Sequence, residues 1–112
     1  MATQSGETDG LVSLGNEEFE AAVGGSGITL VEFYTDWCST CSQMWPHLRD
    51  IAADTVATVV TVDIESNLEP AIEFDAHRTP TFVLFVDGQP VRRLHGGQTA
   101  QTLRNLIRRY ST

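Results

Sequence analysis

The sequence predicts a single α/β domain in which helices cover both faces of a mixed β-sheet. With 112 residues, the chain has room for one domain and can bury a core without a disulfide framework. Runs of β-branched and apolar residues alternate with segments of helical spacing, as in an α/β fold. Two short apolar runs near the end flank Asp87-Gly88, which is a strong signal for a tight antiparallel hairpin.

Strands are predicted where apolar and β-branched residues are densest. These segments are residues 28–34, 56–64, 82–86 and 91–94. The first is apolar at most of its positions, which is typical of a strand buried on both faces. Pro90 lacks the N–H that a central strand donates, so the last strand is predicted to lie at a sheet edge.

Four helices are predicted from apolar residues that recur every three or four positions. Asn16 is the expected N-cap of the first, Pro70 lies near the start of the third, and Thr99 is the expected cap of the fourth. The residues with helical spacing are Phe19 and Val23; Cys41, Met44, Trp45, Leu48, Ile51 and Ala52; Leu68, Ala71 and Ile72; Leu103, Leu106, Ile107 and Tyr110.

Charge is distributed unevenly along the chain. Residues 1–86 hold 14 acids and two Arg, a balance of −12, whereas residues 87–112 hold one acid and five Arg, a balance of +4; together they give −8. The chain contains no Lys. An acidic protein with a cationic last helix is one interpretation, and a halophilic protein from a salt-rich cytoplasm is the other. Nucleic-acid binding is not expected, because five Arg do not outweigh the acidic remainder.

The N-terminal segment and the hydropathy of the chain predict a cytoplasmic location. Residues 1–10 lack the basic start and apolar stretch of a secretory signal. No apolar run approaches the roughly 20 residues that a membrane-spanning helix requires. Residues 1–9 are expected to form a flexible tail, and residues 10–112 the folded domain.

The chain has two cysteines, Cys38 and Cys41, separated by two residues. A structural disulfide between them would close a very short loop and add little stability. Zinc binding is an alternative, with His47, His77 and His95 as possible further ligands, but no His-x-x-x-His pair or second cysteine pair accompanies them. A redox-active pair is the favoured interpretation.

The predicted position of the pair gives each cysteine a different reactivity. Because the pair follows a buried strand and opens a helix, Cys38 would lie among unpaired backbone N–H groups at the positive end of the helix dipole. This placement is expected to lower the pKa of Cys38 and to make its thiolate the nucleophile. Cys41, one turn further along and more buried, is suited to resolve a mixed disulfide.

The sequence resembles the thioredoxin family over nearly its whole length. The matching features are Trp37-Cys38-Ser39-Thr40-Cys41, Val31-Glu32-Phe33-Tyr34 before it, Pro46, Asp63, Thr79-Pro80-Thr81, Gly88 in the hairpin, and Gly96-Gly97. The resemblance implies a thioredoxin fold, with a five-stranded mixed sheet of order 1-3-2-4-5 and helices on both faces. It also implies a cis peptide bond before Pro80, packing of Pro80 against the cysteine pair, and a kink of the active-site helix at Pro46.

The resemblance further implies a shallow substrate groove. Its residues would be Trp37, Thr79, Pro80 and Gly96, and a substrate would pair with the backbone beside the cis proline. The missing side chains at Gly96 and Gly97 fit close approach of a substrate backbone, with a plain turn as the alternative.

Ser39 and Thr40 depart from the Gly-Pro pair that is common between the cysteines of this family. Their hydroxyls are added donors, and the rigid Pro is lost. Both changes are expected to stabilise the thiolate and to make the protein a weaker reductant than its usual relatives.

Glu32 stands where the family usually has a buried Asp, whose role is to take the proton from the second cysteine, here Cys41. An acid merely at a strand edge is the alternative. The Lys that often accompanies this acid would fall near Val59 and is absent, so the pKa of Glu32 is expected to be higher still. Tyr34 and Trp45 are interpreted as packing residues.

The predicted function is thiol–disulfide exchange that reduces disulfides in other proteins through Cys38 and Cys41, without a metal or bound cofactor. The expected partners are disulfide-containing substrate proteins and a thioredoxin reductase or equivalent electron donor. We expect a monomer that binds neither membranes nor nucleic acids. Two alternatives stay open: a thiol oxidant or isomerase with a more oxidising potential, and a non-catalytic interaction module with the same fold.

Overall fold

A computed structural model describes residues 12, 13 and 15–111. The predicted tail over residues 1–9 lies outside the described residues. The elements are β1 (Val12–Ser13), α1 (Asn16–Gly24), β2 (Ile28–Tyr34), α2 (Ser39–Asp54), β3 (Thr58–Asp63), a 3₁₀ turn (Ile64–Ser66), α3 (Leu68–Glu73), β4 (Thr81–Val86), β5 (Gln89–His95) and α4 (Ala100–Arg109).

The strands form one mixed sheet of order β1-β3-β2-β4-β5, as the family resemblance implies. β3 lies between β1 and β2 and is parallel to both, whereas β4 is antiparallel to β2 and to β5. Four of the strands have six or seven residues, and β1 has two. Residue pattern does not predict this short edge strand, because two residues carry no periodicity.

The two faces of the sheet are covered by different helices. Since side chains alternate along a strand, Ile28 and Leu30 of β2 pack with α2 and α4, whereas Val31 and Phe33 pack on the opposite face with α1 and α3. The buried residues on the α2 and α4 side are Ile28, Leu30, Met44, Leu48, Ile51, Ala57, Val59, Phe82, Leu84, Leu103, Leu106 and Ile107. Glu32 has the same parity as Ile28 and Leu30, so its side chain lies on this face.

The hairpin and the last helix agree with the predictions. Asp87 and Gly88 have φ values of 50° and 85°, the left-handed conformations that a two-residue hairpin turn of this kind requires. Pro90 lies in β5, which is an edge strand as predicted. Thr99 caps α4, since its Oγ1 accepts the N–H of Thr102 at 3.0 Å.

Three local predictions need correction. Asn16 is the first residue of α1 rather than its cap; Gly15 is the cap, and its N–H donates to the Glu18 carboxylate at 2.9 Å. The strand predicted over 56–64 is shorter, because Val56 is exposed and residue 64 begins a 3₁₀ turn. α3 forms where expected, but its Leu68 and Ile72 side chains are exposed, and Pro70 and Ala71 are buried instead.

Within the described part of the chain, no helix is long and apolar enough to cross a membrane.

Candidate redox site

Cys38 and Cys41 are joined by a disulfide bond at the junction between β2 and α2. Their Cα atoms are 5.3 Å apart. Cys38 is the N-cap of α2, and its Sγ accepts the backbone N–H of Cys41 at 3.2 Å. Cys38 is half-buried, whereas Cys41 is fully buried. The sulfur that a partner can reach is therefore the one at the helix N-terminus, where backbone N–H groups favour a negative charge.

Ser39 and Thr40 begin α2 with exposed side chains. The hydrogen bond to the Cys38 sulfur comes from a backbone N–H, and over residues 15–111 no hydrogen bond joins either hydroxyl to that sulfur. The Thr40 side chain instead packs against Gly97, where a Cβ would lie 3.0 Å from the Thr40 methyl group. In the disulfide form, the Ser39 and Thr40 hydroxyls thus do not donate hydrogen bonds to the Cys38 sulfur.

Glu32 lies in the middle of β2 and is completely buried. Its Oε1 accepts a hydrogen bond from the indole N–H of Trp45 at 2.8 Å. Its Oε2 is buried and lacks a hydrogen-bond partner among the described residues. Burial raises the pKa of Glu32 from 4.5 to about 8, while the Trp45 hydrogen bond acts in the opposite direction.

The strand register identifies the neighbour of Glu32 on β3. β2 and β3 pair so that Glu32 lies beside Thr61, while Val59 lies beside Leu30. Val59, where the family's Lys would fall, is therefore two residues before Thr61 on the same face of the sheet, and it carries no charge. Thr61 is also fully buried, so a neutral polar side chain occupies the position beside Glu32.

Trp45 forms a hydrogen bond to Glu32 that the sequence does not indicate. Its position four residues after Cys41 places both on one face of α2, and this pattern alone indicates only packing. The indole does pack, edge to face, on Tyr34 with ring centroids 5.5 Å apart. Its N–H also reaches across to the sheet and binds Glu32, a contact between two elements that helical periodicity does not indicate.

The peptide bond between Thr79 and Pro80 is cis, as the resemblance implies. The Pro80 carbonyl accepts the N–H of Gly96 at 2.7 Å. The next residue, Thr81, donates its hydroxyl to the Arg78 carbonyl at 2.5 Å and lies 3.0 Å from Nδ1 of His95. These bonds fix the proline loop against the end of β5; the sequence does not indicate the Thr81 and His95 contacts.

The predicted groove residues lie at the same end of the sheet as the cysteines. Cys38 follows the end of β2, and the register places Phe33 of β2 beside Thr81, which is beside His95. The Thr40–Gly97 contact connects this edge to the cysteine motif. Pro46 lies inside the continuous helix α2, and the predicted kink there stays a prediction.

Gly96 and Gly97 are constrained for different reasons. Gly96 has a φ of 87°, a conformation that favours glycine, and a Cβ there would meet open space. Gly97 has an ordinary φ, but a Cβ there would lie 3.0 Å from the Thr40 methyl group, so that the methyl group would have to shift. The close packing therefore lies at Gly97, whereas Gly96 provides a turn with an open face.

Trp37 is 74% exposed beside Cys38. Its indole N–H donates to the Glu65 carboxylate at 3.3 Å. This bond attaches an exposed aromatic surface next to the reactive sulfur to the 3₁₀ turn after β3.

The zinc alternative gains no support from the positions of the histidines. The His77 and His95 rings lie 5.7 Å apart, and His77 Nδ1 is 2.8 Å from the Asp75 carboxylate. Across residues 12, 13 and 15–111, no three His, Cys, Asp or Glu side chains come together as a metal site.

Fold and site together define a thiol–disulfide oxidoreductase. Comparison with known proteins agrees: residues 10–109 match the family model described as Thioredoxin. The chain is 32% identical to thioredoxin of Chlamydia pneumoniae, covering 88% of this chain and 96% of that protein. It is 31% identical to thioredoxin of Staphylococcus aureus, covering 87% and 94%.

Solved structures give the same result. A mutant thioredoxin from Halobacterium salinarum superposes with a TM-score of 0.85 at 31% identity, covering 91% of this chain and 90% of that one. Oxidised mitochondrial thioredoxin 3 from Saccharomyces cerevisiae gives 0.80 at 29% identity, covering 91% and 97%. The chain belongs to the thioredoxin family, whose redox group is its own cysteine pair and needs no separate cofactor.

Proposed function

We propose that this protein reduces disulfide bonds in other proteins by dithiol–disulfide exchange. The observation that carries the proposal is the asymmetry of the cysteine pair. Cys38 is half-buried at a helix N-terminus, while Cys41 is fully buried on the face of α2 that carries Trp45, the hydrogen-bond partner of Glu32 on β2. One sulfur is suited to meet a substrate, and the other to release it.

In the first step, the Cys38 thiolate attacks one sulfur of the substrate disulfide. A new bond forms between Cys38 and that sulfur, the substrate S–S bond breaks, and the released thiolate takes a proton from solvent. The N–H of Cys41, which binds the Cys38 sulfur in the disulfide form, supports a thiolate at the same position.

In the second step, Cys41 gives its proton to the ionised form of Glu32 and attacks the Cys38 sulfur of the mixed disulfide. The Cys38–Cys41 bond forms, and the second substrate sulfur leaves as a thiolate that takes a proton. Two electrons have then passed from the cysteine pair to the substrate. A carboxyl group whose pKa is about 8 is well matched to accept a proton from a thiol, because an ordinary Cys side chain has a pKa of about 8.5.

A substrate segment would lie across Trp37, Thr79, Pro80 and Gly96. Exposed Trp37 offers apolar area next to Cys38. The open face of Gly96 leaves room for a substrate backbone, which could pair beside the cis proline as an added strand. Ser39 and Thr40 would lie under the substrate at the motif, and Pro46 would shape α2 behind it.

The proposed cycle needs two kinds of partner and one kind of compartment. Disulfide-containing proteins accept the electrons, and a thioredoxin reductase or an equivalent donor restores the dithiol. A cytoplasm that supplies reductant fits this direction. We propose that the chain acts as a monomer, without membrane or nucleic-acid partners.

Reduction of insulin, followed as turbidity of the released chains, tests the proposal. The wild type is expected to catalyse it with a chemical reductant as donor, and Cys38→Ser to abolish it. Cys41→Ser should accumulate a mixed disulfide at Cys38, visible by mass spectrometry. Ser42→Ala, an exposed change next to Cys41 on the same helix, is the matched control and should retain activity.

Two results would overturn the proposal. Faster refolding of a scrambled disulfide substrate without insulin reduction would favour the isomerase alternative. Full partner binding by a Cys38→Ser, Cys41→Ser double variant, with no turnover by the wild type, would favour an interaction module.

A further inference from the structure

The two oxygens of Glu32 have different surroundings. Oε1 accepts the Trp45 indole N–H at 2.8 Å, whereas Oε2 is buried without a hydrogen-bond partner among the described side chains and backbone. A buried carboxyl oxygen without a partner is costly, and such an atom often marks a functional position. The carboxyl group is thus anchored through Oε1, and Oε2 is the oxygen available for proton transfer.

The Trp45 ring is itself held in place. It is half-buried against the core on the α2 face and meets Tyr34 edge to face at 5.5 Å. A ring fixed on two sides can present its N–H in a single direction, which fixes Oε1 in turn.

The hydrogen-bond donor identified for the Glu32 carboxyl group is the Trp45 indole N–H. β3 places Thr61 beside Glu32, and β4 places Phe82. Burial and the Trp45 hydrogen bond are the two causes of the pKa shift of Glu32. The other titratable and charged side chains on β2, β3, β4 and α2 are Tyr34 on β2, Asp63 on β3, and Cys41 in its reduced state, His47, Arg49, Asp50 and Asp54 on α2; β4 has none.

We propose that Trp45 is the positioning residue of the resolving step: its indole N–H holds Oε1 of Glu32 so that Oε2 takes the proton from Cys41. The inference rests on the proposed function. Cys41 and Trp45 are four residues apart on one face of α2, so Cys41 lies one helical turn from the residue that binds the carboxyl group. Cys41 loses its proton to Oε2 as its sulfur bonds to Cys38, and the substrate thiolate leaves.

A neutral donor acts differently from a cation at this position. The sequence has no Lys, and an indole N–H stabilises the carboxylate through one hydrogen bond without neutralising its charge. Removing the N–H should therefore make Glu32 harder to ionise and slow proton transfer at neutral pH. It should leave the first attack by Cys38 unchanged, because that step does not use Glu32.

The reduced protein mixed with 5,5′-dithiobis(2-nitrobenzoate) separates the two steps. Attack by Cys38 releases one thionitrobenzoate, and attack by Cys41 on the mixed disulfide releases a second. With Trp45→Phe, the second phase at pH 7 is expected to be about tenfold slower, the usual effect of one hydrogen bond to a charged group. Its pH midpoint should move upward, and the first phase should not change.

Ile51→Val is the matched control, since it alters buried packing on α2 without removing a hydrogen-bonding group. It should leave the pH midpoint of the second phase at the wild-type value. If Trp45→Phe fails to fold, 3-benzothienylalanine at position 45 removes the N–H while keeping the shape of the ring. In a Glu32→Gln background, removal of the N–H should not move the pH profile further.

An unchanged pH midpoint in the variant without the N–H would overturn the inference, as would equal slowing of that variant at every pH. Absence of the second release from the wild type would instead overturn the proposed function, so the two failures are distinguishable.

Discussion

The two faces of the sheet differ in what they bury. On the α1 and α3 side, Phe19, Phe33, Phe74 and Phe85 form a cluster with neighbouring ring centroids 5.2 to 6.4 Å apart. On the α2 and α4 side, β2 buries Glu32, the one buried carboxyl group in the part of the chain that the structure describes. Adjacent residues of β2 therefore serve packing on one face and proton chemistry on the other.

This difference indicates that the α2 and α4 side holds a group that lowers the stability of the fold and serves the proposed reaction. A fully buried carboxyl group with one unpartnered oxygen destabilises the fold when it ionises. The aromatic face carries no comparable cost and can support the strand that holds Glu32. Substitutions at Glu32, at Phe33 and in the cysteine motif test this contrast.

Glu32→Gln should remove the buried ionisable group, so that neither face of the sheet titrates. Between pH 4.5 and about 8 the native protein holds the Glu32 proton and the unfolded chain does not, so wild-type stability falls as pH rises through this window. Gln keeps an acceptor for Trp45 and does not ionise. The variant is expected to gain about 5 kcal/mol over the wild type at pH 9 and almost nothing at pH 4.

Guanidinium unfolding of the disulfide form at both pH values measures this gain. An equal change in the free energy of unfolding at pH 4 and pH 9 would show that Glu32 is not the titrating group. The same variant should slow the second thionitrobenzoate release, linking the stability cost to the chemistry.

Phe33→Leu tests the opposite face, one residue along β2. Loss of ring volume from the aromatic cluster should cost about 1–2 kcal/mol of unfolding free energy, equally at pH 4 and pH 9. The rate of the second thionitrobenzoate release, measured under conditions where the protein is folded, should stay at the wild-type value. A pH-dependent cost, or a slower release, would mean that the two faces are not separate in function.

Replacing Ser39-Thr40 with Gly-Pro should give the smallest effect. These two residues are the first of α2. We expect the reduction potential of the variant to be more negative by about 30 mV, equivalent to about 1.4 kcal/mol. Equilibration against a glutathione buffer measures the shift. Since neither hydroxyl binds the Cys38 sulfur in the disulfide form, an unchanged potential would assign no redox role to this pair.

Much of this arrangement could be predicted from the sequence because it depends on local chemistry. The position of Cys38 at a helix start follows from the strand and the helical spacing on either side of it. Asp87-Gly88 specifies its own turn, and Thr99 its own helix cap. In each case, a few residues that are adjacent in the sequence are enough to predict the local structure.

The missed features depend on contacts between elements. The Trp45–Glu32 bond joins α2 to β2 across 13 residues, and helical periodicity reports only that Trp45 is on the inner face. Strand register makes Thr61 the neighbour of Glu32 on β3, and the residue pattern of the two strands does not indicate that register. β1 exists as a strand because it pairs with β3, since two residues carry no pattern of their own.

The reduction potential of the wild-type Cys38–Cys41 couple tests whether this protein acts as a reductant of its substrates. Equilibrating the protein over a range of reduced to oxidised glutathione, with the dithiol fraction measured by alkylation, provides it. We predict a potential more negative than about −180 mV, the value typical of protein disulfide isomerase, so that electrons flow from this protein to its substrates. A potential at or above that value would contradict the account, because the couple would then act as an oxidant.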